Sequence, residues 1–159
     1  MIYTASLDTL AKIITGGILA LCVAFYIFFN GTSGFWLWFG FLLFVFGLSF
    51  ILRPVHYELH PDQIIVHRLI KPILVKRSEV TEVGLLADAD KKGMLRTFGS
   101  GGFLGYFGKF WSKRLGHFTM YATRRDHLVL IQKNDGQKIV LSPDDENFIH
   151  DLRRQWRLG

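Results

Sequence analysis

Ile13 to Phe29 reads IITGGILALCVAFYIFF, Asn30 to Gly34 reads NGTSG, and Phe35 to Leu52 reads FWLWFGFLLFVFGLSFIL. Neither apolar run contains a charged residue. About 17–25 apolar residues are enough for a helix to cross a bilayer, so each run qualifies. With so short a polar link between them, two such helices can only double back. The stretch predicts a transmembrane helical hairpin, spans 13–29 and 35–52, in an N-terminal unit of residues 1–52. Residues 53–159 then form one small domain held against the membrane.

Composition agrees with that division. The chain has 159 residues and a formal net charge of +6, enough for a hairpin plus one domain of about 100 residues. Residues 53–159 carry 18 Lys/Arg and 12 Asp/Glu, which is all of the excess. Within them, residues 91–125 hold eight basic residues (Lys91, Lys92, Arg96, Lys109, Lys113, Arg114, Arg124, Arg125) and no acid. A basic block beside membrane spans points to anionic headgroups before nucleic acid. The single cysteine, Cys22, excludes an intrachain disulfide and a cysteine-based zinc site. Leu21 before it is too large for a lipoprotein cleavage box, and Cys22 reads as inert. No small-residue cleavage site follows Phe29, so the first span reads as an anchor rather than a leader.

Lys12 precedes the first span and Arg53, Arg68 and Lys71 follow the second, whereas the link has no charge. The positive-inside rule puts both termini and the domain in the cytoplasm. Tyr26, Trp36 and Trp38 fit an interfacial aromatic belt near the link. Neither span holds an ionisable group on which a proton or ion pathway could run. The hairpin is expected to anchor, not transport.

Arg53-Pro54 ends the second span, because proline disfavours helix in the residue before it. Seven short strands are then expected: 56–59, 64–69, 72–76, 81–86, 118–123, 127–132 and 138–141. Asn134-Asp135-Gly136 marks a hairpin turn between the last two. Ser142-Pro143-Asp144-Asp145 has the signature of a helix start, with a serine cap, proline at the first position and acids in the first turn. Phe148, Leu152 and Trp156, with Ile149, supply one apolar stripe. The expectation is an α+β membrane protein whose bent antiparallel sheet or small barrel is closed at one end by a C-terminal helix.

This order, with Arg96-Thr97-Phe98-Gly99, the run from Gly101 to Gly108, Gly116-His117-Phe118, Tyr121-Ala122-Thr123 and Leu141-Ser142-Pro143-Asp144, resembles the bacterial pleckstrin-homology-like (bPH) membrane proteins. The resemblance covers most of residues 53–153. It implies a PH-like barrel with a C-terminal helix, a bacterial inner-membrane location, and binding or assembly rather than catalysis. It brings no known ligand. Eukaryotic PH domains often grip phosphoinositides through basic residues in the loop between their first two strands. Here that loop, His60-Pro61-Asp62-Gln63, has no Lys or Arg, and that function does not carry over.

Gly93 to Tyr121 holds seven glycines and eight aromatics. A phosphate loop fails on spacing, since five residues separate Gly102 from Gly108 and Phe110 follows Lys109 where a magnesium-binding hydroxyl belongs. A dinucleotide fingerprint starting at Gly99 fails because Leu104 stands at its third glycine. The physical reading is an interfacial segment in which Phe103, Leu104, Tyr106, Phe107, Phe110 and Trp111 enter the headgroup layer while Lys109, Lys113 and Arg114 meet lipid phosphates. The competing reading puts the aromatics in the core or a subunit interface and the glycines in tight packing. His56, Glu58 and His60 alternate and are metal-ligand types, but they read as outward polar residues of a strand. No nucleophile constellation appears, the RNA-motif signature is missing, and no cofactor or metal is expected. The chain is therefore expected to be a non-enzymatic scaffold on anionic phospholipid, self-associating or docking an unidentified protein partner. The alternative is a membrane enzyme, or its accessory subunit, acting on an amphiphile.

Overall fold

A computed structural model describes residues 1–91 and 93–157, leaving Lys92 of the basic block and the terminal Leu158 and Gly159 outside the described residues. The two apolar runs are helices α1 (Thr9–Phe29) and α2 (Phe35–Leu52). Helix α1 starts four residues ahead of the expected span because Asp8 caps it: its Oδ1 accepts the Ala11 N–H at 2.7 Å. Gly34 permits the left-handed turn (φ +81°) that launches α2. Each helix buries one residue, Ala11 in α1 and Phe35 in α2. They are not the core helices of a soluble domain, and both are long and apolar enough to cross a membrane. Rings of Phe25, Tyr26, Phe35 and Phe39 interlock at the linked end.

Ten strands appear among the described residues, in two sheets. One has four antiparallel strands in the order β1 (Ile2–Thr4), β2 (His56–Leu59), β3 (Gln63–His67), β4 (Ile73–Lys76). A single 3-10 turn, Arg77–Glu79, leads from it to the second sheet. That sheet contains β5 (Val80–Leu85), β6 (Leu95–Gly102), β7 (Gly105–Ser112), β8 (Gly116–Ala122), β9 (Val129–Lys133) and β10 (Lys138–Leu141), in the order β5-β9-β10-β8-β7-β6. Between β5 and β6 lies the short helix α3 (Asp88–Lys91). The β10–β8 pair is parallel and the rest are antiparallel.

All seven expected strands form, with ends shifted by a residue or two, and the α+β class stands. Four details are corrected. The sheets do not close into a barrel. The glycine-aromatic run is a long hairpin, β6–β7. The N-terminal residues, assigned by sequence to the membrane unit, supply β1, and Tyr3 is buried in the domain core. A boundary at 52/53 thus cuts through a sheet. Finally, Ser142 is not a helix cap: the last helix, α4, runs Phe148–Trp156 behind Asn147, and Ser142 is buried elsewhere.

Side-chain alternation along the six-stranded sheet makes two cores. Ile131, Ile139 and Leu141 face the four-stranded sheet and α4, joining Tyr57, Leu59, Ile64, Val66, Phe148, Leu152 and Trp156. Val140, Met120, Tyr106, Phe110 and Phe118 face the other way and are covered by Leu7, Ala11, Leu86 and Leu115. The stripe read from the sequence on α4 is therefore a lid over the first core. Trp156 is wholly buried, and its indole N–H donates to the His60 carbonyl at 3.0 Å.

Candidate functional site

Strand direction sorts the domain into two ends. Strand β2 leads away from α2, so its antiparallel partner β3 leads back. The loops nearest the helices are therefore Arg68–Pro72, the β6–β7 turn and the segment 123–128. The opposite end carries the turns at His60–Gln63, Lys113–Leu115 and Asn134–Gly136.

At the helix end, the β6–β7 turn presses on both α1 and α2. Phe103 meets Phe46 of α2 edge-on, ring centroids 5.3 Å apart. The Leu104 N–H donates to Thr15 Oγ1 of α1 at 3.0 Å, and Gly102 lies where a Cβ would strike the Ile14 side chain. Thr15 and Phe46 each lie six residues from their helix end, about 9 Å along the axis at 1.5 Å per residue. Two contacts on antiparallel helices thus give the same height. Leu104 has φ +56°, a strained conformation for a branched residue that persists where the surroundings over-determine it. Here its side chain is buried and its amide is tied to Thr15.

A second clasp uses Asp8. Beyond capping α1, it accepts the Arg125 N–H at 3.1 Å, and the Tyr106 hydroxyl points to it at 3.4 Å. Burial, with the Asp8 charge beside it, pushes the Tyr106 phenol up to about 12. Arg125 lies over the Tyr106 ring, 4.9 Å from its centroid. Next to it, Asp144 accepts from the Ser6 amide and hydroxyl and from Arg124. Burial works to raise its carboxyl, but the Ser6 and Arg124 bonds hold it below the ordinary aspartate value. Ser142 Oγ accepts the Thr123 and Arg124 amides at 2.8 and 3.3 Å. The Tyr57 hydroxyl donates to the Tyr121 carbonyl at 2.7 Å, and burial pushes that phenol up to about 12.

The nine residues singled out in the glycine-aromatic run do not share one surface. Leu104, Tyr106, Phe107 and Phe110 are buried, and Phe103 is half-buried against Phe46. Trp111 and Lys109 are exposed on one face of the hairpin, together with Leu95 and Phe98 of β6. Lys113 and Arg114 sit at the far turn, about 23 Å of strand from the tip at 3.3 Å per residue, and Arg114 pairs with Asp90 at 3.0 Å. Glycine explains the hairpin. Gly99 and Gly108 oppose each other at φ +108° and +116°, and a Cβ on either would overlap the other strand's backbone. Sequence reasoning passed over Thr15 and Asp8. A lone hydroxyl in an apolar run and an aspartate just ahead of one were the available signals.

The His56–Glu58–His60 alternation does face one side, joined by His67. Glu58 takes His67 Nε2 at 2.9 Å and His60 Nε2 at 3.1 Å, and the His67 bond holds its carboxyl below the usual range. His56 stacks on His67 with centroids 4.2 Å apart. Among the described residues no group of three or more such side chains is arranged to hold a metal ion.

A search of curated proteins and of solved structures finds no match. The family model described as "Bacterial PH domain" matches residues 55–156, the span from the residue that follows Pro54 to the tryptophan that seals the first core. On that match the chain belongs to the bacterial PH domain family.

Proposed function

We propose that this protein is a membrane-anchored, non-enzymatic PH-like interaction module, with α1 and α2 crossing the bacterial inner membrane and both termini and the domain on the cytoplasmic side. One observation carries the reading: the β6–β7 tip grips both helices at the same height, through Phe46 and Thr15. At about 1.5 Å per residue, α1 and α2 are roughly 31 and 27 Å long, close to a hydrocarbon core of about 30 Å. Helices of that length put their ends near the edges of the core, so Phe103, about 9 Å along the axis from those ends, lies below the inner-leaflet boundary. A domain so clasped holds its orientation to the lipid, and weak contacts gain from the tether's high effective concentration. Exposed cations near an anionic leaflet each contribute on the order of 1 kcal/mol.

The hairpin also supports self-association. Strand β6 is a sheet edge eight residues long with Leu95 and Phe98 exposed, and an unprotected apolar edge is a template for another strand. Trp111 and Lys109 extend that face toward a second copy or another protein. In nanodiscs of phosphatidylethanolamine and phosphatidylglycerol, light scattering should give a multiple of the 18.3 kDa protomer, and Phe98→Glu should return it to one. A protomer of single mass, indifferent to anionic lipid, overturns the scaffold reading. The full chain is used, because residues 53–159 alone lack β1.

A further inference from the structure

We propose that the β3–β4 loop, Arg68 to Pro72, is a lipid-inserting finger. Its Leu69 and Ile70 enter the boundary between headgroups and acyl chains of the leaflet from which α2 emerges, with Lys71 on the lipid phosphates. This goes beyond the β6–β7 contact and rests on α1 and α2 crossing the bilayer.

Direction comes from topology. Strand β2 runs away from α2, and β3 returns beside it with His67 opposite His56. The Val55 N–H donates to the His67 carbonyl at 2.8 Å, and Val55 is three residues from the end of α2, at most about 10 Å of extended chain. The loop after His67 therefore begins beside the chain that leaves α2. Leu69 and Ile70 are 55 % and 73 % exposed, and neighbouring Val55 is exposed as well. Two large adjacent aliphatics at a loop apex gain nothing from water. The apex is also shaped: Arg68 Nε donates to the Lys71 carbonyl at 2.9 Å, and the Arg68 guanidinium rests over the Tyr121 ring, 5.8 Å from its centroid. Pro72 closes the loop with a fixed φ and no amide to desolvate. A pre-shaped apolar apex beside cations matches an anionic interface, where cations sit at the phosphates and aliphatics just below. The first two strands' own loop, His60–Gln63, lies at the opposite end.

The full-length protein is reconstituted in phosphatidylethanolamine–phosphatidylglycerol vesicles. In a Cys22→Ser background, Leu69→Cys, Ile70→Cys and the far-end Asp135→Cys each carry an environment-sensitive fluorophore. The wild-type chain labelled at Cys22 reports on the span itself. Labels at 69 and 70 should shift to the blue and lose most of their emission to lipids spin-labelled near the headgroup, while the label at 135 emits as in water. Labels at 69 and 70 that match 135 overturn the finger. So do blue-shifted labels untouched by spin-labelled lipid, which would mean a protein contact. If Cys22 is quenched by deeply labelled lipid while 70 stays in water, the finger alone fails. If Cys22 is not, the membrane reading fails and the finger with it.

Discussion

Gly108→Ala tests whether the glycines of the central hairpin are there for backbone approach. Gly108 has φ +116°, and a Cβ there would overlap the Phe98 carbonyl oxygen and stand 2.9 Å from Gly99 Cα. Both are backbone atoms, so no side chain can swing away, and β6 must move off β7. Gly116→Ala is the control. Its φ is +70°, yet nothing lies within 4 Å of the added carbon, so it reports backbone strain alone, about 1–2 kcal/mol for a left-handed L-residue. Gly108→Ala adds parting of the strands, with about two ladder bonds lost at about 1 kcal/mol each, for a total of roughly 3–4 kcal/mol. In a chain of this size 1 kcal/mol is worth about 2–4 °C in Tm. The Tm in detergent should therefore fall by several degrees for Gly116→Ala and by about 6–16 °C for Gly108→Ala. Hydrogen exchange should show loss of protection confined to β6 and β7. Gly99→Ala should behave like Gly108→Ala, since each glycine faces the other. Equal Tm shifts for Gly108→Ala and Gly116→Ala, with β6 still protected, would refute the steric argument.

Ser142→Ala should cost about 2 kcal/mol in chemical denaturation, because the Thr123 and Arg124 amides lose their buried acceptor; an unchanged midpoint would return Ser142 to a surface role. Trp156→Ala should cost about 3–5 kcal/mol and release α4 from the sheet, visible as lost near-ultraviolet dichroism, since the indole is fully buried and hydrogen-bonded to His60. His56 is held below the ordinary histidine range, by burial first and then by the charge of His67. The unfolded chain therefore binds more protons there, so stability is whole above about pH 6.5 and falls as pH drops through the folded value. His56→Gln should flatten that part of the Tm-against-pH curve, and an identical slope in the variant would reject His56 as its source.

Legibility in the sequence followed periodicity. The seven alternating strands and the Phe148–Leu152–Trp156 stripe were visible because burial on one face leaves a repeat, and the two long N-terminal helices because they are apolar on every face. Strands β6 and β7 were not, because half their positions are glycine or residues buried on both faces, which erases alternation. Strand β1 is three residues, too short for any period, and depends on β2 more than fifty residues away. Ser142 misled because cap chemistry and buried amide capture require the same short hydroxyl. In the glycine-aromatic segment, composition did not show which residues face outward. Tyr106 and Phe110 alternate into the second core, while Trp111 and Lys109 do not, and that division is made by the register of β7 on β8.

The pairing of β1 with β2 has a consequence for biogenesis. Strand β1 is synthesised first, yet its partner emerges only after both apolar helices have left the ribosome. With both helices in the bilayer, the two strands meet on one side and Tyr3 can reach its place beside Phe148. A chain that inserted a single helix would strand Ile2–Thr4 across the membrane, leaving β2 as a bare edge and an aromatic-sized hole in the core. With α1 and α2 crossing the bilayer as proposed, the small sheet can be completed only in a chain that has inserted both helices.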